Sequence, residues 1–90
     1  MDPRDALARK AVLAFLGRIR GGRLVVAEDG REHVCGDPSA ELRATVYVER
    51  PRAWRRILRG SVGAGEAFVD GDWRADDLVA ALRIVARNLH

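Results

Sequence analysis

Apolar residues Ala6, Leu7, Ala11, Leu13, Ala14, Phe15, Leu16 and Ile19 recur at helical spacing, with Arg9, Lys10, Arg18 and Arg20 between them. The spacing predicts a helix over 5–20, capped by Asp2 or Asp5 and ended by Gly21-Gly22. From Arg23 the period changes. Leu24-Val25-Val26 reads as a strand, Glu28-Asp29-Gly30 as a hairpin turn, and Arg31 to Gly36 as the return strand. Leu42, Ala44, Val46 and Val48 then alternate with polar partners, which predicts a half-buried strand.

Pro51 suits the first turn of a short helix over 52–59, closed by Gly60. Gly60, Gly63 and Gly65 read as a loop, Glu66 to Asp70 as a further strand, and Asp70-Gly71-Asp72 as a turn. A last helix starts at Asp76 or Asp77 and carries Leu78, Val79, Leu82, Val85, Ala86 and Leu89, with Asn88 as a candidate C-cap. Helix, three strands, helix, strand, helix predicts an α+β domain. Its small sheet is largely antiparallel, a meander followed by one more strand, with helices at both ends. The final helix is still periodic at Leu89, so the natural polypeptide is expected to continue.

Ninety residues allow one domain, 1–90, and no deep independent catalytic cleft. Cys35 stands alone, so no internal disulfide forms, and with His33 and His90 it falls short of a zinc site. No apolar run reaches the roughly 20 residues a membrane helix needs, which predicts a soluble, cytoplasmic chain. The formal net charge is +3, and fifteen of sixteen basic residues are arginine. That charge and the few aromatics speak against nucleic acid.

Arg52, Arg55, Arg56 and Arg59 fall at i, i+3, i+4 and i+7 and share one helical face, opposite Trp54, Ile57 and Leu58. Such a face is either simply solvated or a contact for anionic phospholipid headgroups. Glu66, Asp70, Asp72, Asp76 and Asp77 lack the spacing of a calcium loop and are read as structural, with Asp76 and Asp77 at a helix start. No metal ligand is assigned. Gly63-Ala64-Gly65 lacks the third glycine and the following helix of a dinucleotide loop. His33 and Cys35 share a strand face, read as an edge histidine and a packed thiol. Trp73 is read as a core anchor.

The run from Gly65-Glu66-Ala67-Phe68-Val69-Asp70-Gly71-Asp72-Trp73 through Asp77-Leu78 to Arg87-Asn88 resembles the N-terminal region of cyclopropane-fatty-acyl-phospholipid synthases and related methyltransferases. Gly22, Leu24, Asp29, Gly30 and Gly36 fit the same family's opening hairpin. The likeness covers nearly the whole chain. It implies a non-catalytic accessory domain whose partner is a catalytic methyltransferase domain. That missing domain would bind S-adenosylmethionine and, in many members, bicarbonate; no cofactor and no catalytic residue are implied here.

On this reading Gly65, Glu66, Asp70, Gly71 and Trp73 form a family-signature surface facing the catalytic domain or the lipid. Arg52, Arg55, Arg56 and Arg59 would face headgroups of a peripheral membrane phospholipid. The element order is also similar to sterol-carrier-protein-like domains. The competing readings are a free-standing lipid carrier and a protein-interaction module that touches no lipid.

Overall fold

A computed structural model describes residues 1–89 of the chain. The elements are α1 (Pro3–Leu16), β1 (Arg23–Glu28), β2 (Arg31–Gly36), β3 (Arg43–Val48), α2 (Ala53–Leu58), α3 (Ser61–Val69), β4 (Trp73–Ala75) and α4 (Leu78–Arg87). The fold is α+β, as the element pattern predicts. Among the described residues no helix is long and apolar enough to cross a membrane.

The Asp29-Gly30 turn joins β1 to β2 in an antiparallel hairpin, with Val25 opposite Val34. β3 departs from the expected meander. It lies beside β1, not β2, and runs parallel to it, with Val25 opposite Thr45. The sheet order is β2-β1-β3-β4, and β3 and β4 are antiparallel. Leu24, Val25 and Val26 of β1 are all buried, as suits a central strand covered on both faces. β2 carries Arg31 and Glu32 and tolerates the edge.

Strand alternation sorts the two faces. Leu24, Val26, Cys35, Ala44, Val46 and Val48 face the helices and join Val12 and Leu16 of α1, Trp54 of α2 and Ile84 of α4 in one cluster. Val25, Val34, Thr45, Tyr47 and Arg74 lie on the opposite face. Burial pushes the Cys35 thiol up from its ordinary value, so it sits as a neutral packed group.

Two other expectations need correction. The first helix ends at Leu16, with Gly17 as its C-cap, and Ile19 packs from the following turn. The larger change concerns 60–70. The expected glycine loop and Glu66–Asp70 strand are one helix, α3. Alternation of Ala67, Phe68 and Val69 imitates a strand over three residues, but Gly63 and Ala67, four apart, are the buried positions.

Gly63 is there because α2 passes close. A Cβ on it would lie 2.2 Å from the Arg56 carbonyl oxygen. Gly63→Ala is therefore expected to force α2 and α3 apart and to destabilise by about 2 kcal/mol, although alanine favours helices. Urea denaturation measures this, and an unchanged midpoint would contradict the close packing. The residual strand signal belongs to β4, which begins at Trp73, where the sequence predicts only a turn's end.

Candidate functional site

Gly65, Glu66, Asp70, Gly71, Trp73 and the arginines of 52–59 lie in or beside the α2–α3–β4 unit. At its centre is Asp72. Asp70 caps the end of α3, and Gly71, at φ +78°, reverses the chain so that Asp72 points inward. The Asp72 amide donates to the Ala67 carbonyl (2.8 Å), while its own carbonyl accepts from the Glu49 and Arg50 amides (2.8 and 3.0 Å). Its side chain is 0% exposed.

Three guanidinium groups reach that carboxylate. Arg52 Nε donates to both oxygens (3.0 and 2.9 Å), Arg56 Nη1 to Oδ2 (2.9 Å), and Arg50 Nη1 to Oδ1 at 3.5 Å. Arg56 Nη2 also pairs with Asp70 Oδ2 at 2.9 Å. Burial pushes the Asp72 carboxyl up, but hydrogen bonds from Arg56 and Arg52 and their positive charges outweigh it. The group is held below the ordinary carboxylate range. The hydrogen bonds that Arg56 donates to Asp70 and Asp72 in turn push its guanidinium up from its ordinary value.

The expected four-arginine face is thus divided. Arg52 and Arg56 serve Asp72. Arg55 Nε donates to the buried Asp5 Oδ1 at 2.5 Å and ties α2 to α1. Arg59 lies exposed at the end of α2. Most of the charge read as headgroup-facing is consumed within the fold.

The signature residues have equally definite places. Trp73 is buried, as an anchor should be: its Nε1 donates to the Ala64 carbonyl (2.9 Å), and its ring meets Phe68 at 5.0 Å. Asp77 caps α4 by accepting from the Ala80 amide, and Asp76 accepts from the Thr45 and Asp77 amides. Asn88 accepts from the Arg20 amide (2.8 Å) and donates to the Arg20 carbonyl (3.0 Å). Arg87 donates to the Gly21 carbonyl (3.0 Å), and together the two latch α4 onto the segment entering β1.

Glu66 differs from these. It stands exposed on the outer face of α3 and, among the described residues, its carboxylate has no hydrogen-bond partner. With Ser61, Val62, Gly65, Val69 and Asp70 it lines a shallow concavity of about 510 Å³. Val62 and Val69 flank it at 75% and 83% exposure. An added Cβ on Gly65 would touch nothing within 4 Å. This small-residue dip in an uncovered apolar face is the candidate docking surface.

A second polar cluster escaped the sequence reading. Arg9 Nε and Trp54 Nε1 donate to the two oxygens of Glu28, each at 2.6 Å. Arg9 Nη2 also lies 3.0 Å from His33 Nε2, which must accept because a guanidinium only donates. Glu28, read as part of a turn, closes the sheet against α1 and α2. Among the described residues no group of three or more His, Cys, Asp or Glu side chains is placed to hold a metal ion. The chain matches no family model, no curated protein and no solved structure.

Proposed function

We propose that the domain is a non-catalytic accessory unit of a cyclopropane-fatty-acid-synthase-like lipid methyltransferase. It packs on the catalytic domain, which would carry S-adenosylmethionine, and helps present a phospholipid acyl chain there. The observation that carries this reading is the outer face of α3. Val62 and Val69, with Gly65 and Glu66 between them, form an uncovered strip that overlaps the run on which the family likeness rests. Asp72, Trp73, Arg55 and Arg56 serve the fold, which suits a docking piece.

Glu66 on that strip, whose carboxylate has no partner among the described residues, would repel anionic headgroups. The face therefore suits a protein partner better than a membrane, which also favours the second reading, an interaction module that touches no lipid. A free-standing carrier has less support, because Trp54 and Ile84 fill the space between the sheet and the helices.

The test uses the catalytic domain of a cyclopropane-fatty-acyl-phospholipid synthase lacking its own N-terminal segment, mixed with this chain. Binding is followed by calorimetry, and methyl incorporation is measured on phospholipid vesicles. Val62→Asp with Val69→Asp alters only exposed positions and is expected to weaken binding at least about tenfold without unfolding the domain. Binding without any rise in methyl incorporation would favour the interaction module. No binding, or equal binding by the variant, would remove the α3 face from the account.

A further inference from the structure

We propose that Arg50 and Arg52, braced by the buried Asp72, form a phosphate-binding fork. Around Asp72 three guanidinium groups, Arg50, Arg52 and Arg56, meet two carboxylates, Asp70 and Asp72, and one positive charge is left over. Arg50 and Arg52 both approach Asp72 Oδ1, at 3.5 and 3.0 Å, so two like charges are held side by side. An anion arriving between them relieves that repulsion.

The donors that would receive it are unspent. Arg52 uses only Nε on Asp72; among the described residues both its terminal nitrogens lack a protein partner. Among the described residues Arg50 uses only Nη1, on Asp72 and on the Asp70 carbonyl at 3.4 Å, leaving Nε and Nη2. Their side chains are 56% (Arg50) and 49% (Arg52) exposed, so these groups border solvent. Tetrahedral phosphate oxygens match such paired N–H donors, which a spherical chloride does not.

Bracing separates this pair from the other arginines. An unbraced arginine gives up rotamer entropy when it is fixed on an anion. Arg52 is already oriented by a carboxylate that is itself fixed through three backbone hydrogen bonds. Arg59 has no such support. Arg55 and Arg74 are neutralised one-to-one by Asp5 and Glu49, and Arg74 also stacks 4.0 Å over Tyr47. The nearby acids are likewise engaged: Asp70 by Arg56, and Glu49 by Arg74.

The ligand class is a phosphate monoester or diester, free or as a lipid headgroup. The fork adjoins the α3 strip at Asp70 but uses neither Val62 nor Val69 and needs no catalytic partner, so either proposal can fail without the other. The test titrates the whole chain with inorganic phosphate and, separately, with chloride at fixed ionic strength, following the Arg52 and Arg50 side-chain nitrogen resonances by NMR. The expected result is saturable shifts with phosphate and none with chloride.

Arg50→Gln with Arg52→Gln is expected to weaken phosphate binding at least about tenfold, and Arg59→Gln to change it less than about twofold. Phosphatidylglycerol and phosphatidylcholine vesicles form the second arm. Phosphatidylglycerol binding lost in the double variant identifies a headgroup source, and phosphate binding without vesicle binding identifies a free one. Equal shifts with chloride, or vesicle binding without phosphate binding, overturn the proposal. Because the wild-type resonances are themselves a readout, the result does not depend on the double variant folding.

Discussion

Asp72→Ala is expected to destabilise the domain by about 3 kcal/mol, lowering the melting temperature by roughly 12–24 °C for a chain of this size. The side chain is wholly buried and satisfies three arginines from the β3–α2 connection and α2. Its loss would leave guanidinium groups facing one another without the carboxylate that joins them. The cost falls at the lower end of the range for broken buried pairs, because Arg50 and Arg52 can turn toward water. Urea denaturation at neutral pH checks the magnitude.

Asp72→Asn adds a pH signature. The folded carboxyl is held below its ordinary value, so the stability it contributes is complete above the unfolded value of about 3.9 and is lost as pH falls through the folded one. Wild type is therefore expected to exceed the asparagine variant by a constant margin from pH 7 to about pH 5, narrowing below about pH 4. Asp2 and Asp37 are also held low, through amide hydrogen bonds from Arg4 and Ser39, but they are present in both proteins and cancel. A margin independent of pH down to 2 would contradict the assigned role.

Trp54→Ala is expected to cost about 3–5 kcal/mol, a large share of the roughly 5–13 kcal/mol a domain of this length has in total. The ring is 1% exposed and belongs to the cluster that joins α1, α4 and the sheet. Its removal leaves a cavity the backbone cannot close and also strips Glu28 of one donor. Trp54→Phe separates these effects. It keeps most of the apolar volume and loses the hydrogen bond, and is expected to cost about 1–2 kcal/mol, with Arg9 still holding Glu28. Differential scanning calorimetry should rank wild type above Trp54→Phe above Trp54→Ala. Equal melting of the two variants would mean that the ring itself contributes nothing.

The candidate sites show where sequence reading reaches its limit. Trp73 as an anchor and Asp77 as a helix start are local inferences, and both are found. The shared arginine face is also local: Arg52, Arg55, Arg56 and Arg59 do recur at helical spacing. Spacing along one helix says nothing about what stands opposite. Asp72 is sixteen residues beyond Arg56 and Asp5 fifty before Arg55, so the ion pairs that consume these charges depend on chain reversal. Arg50 precedes the helix and falls outside its periodic face, yet the Asp72 backbone and side chain both hold it.

The amino-acid order alone determined the α+β class, the Asp29-Gly30 hairpin, the helices at both ends and the short helix over 52–59. Each rests on period, caps and turn residues within about fifteen positions of one another. Tertiary structure alone decided that β3 joins β1 in parallel, because strand pairing depends on which edges the folded chain brings together and not on the local period. It also made 61–69 a helix: Gly63 and Ala67 become a packing face only once α2 and Trp73 lie against them. And it turned Asp72 from a turn residue into the buried partner of three arginines, since the energy of a charge depends on what surrounds it in space.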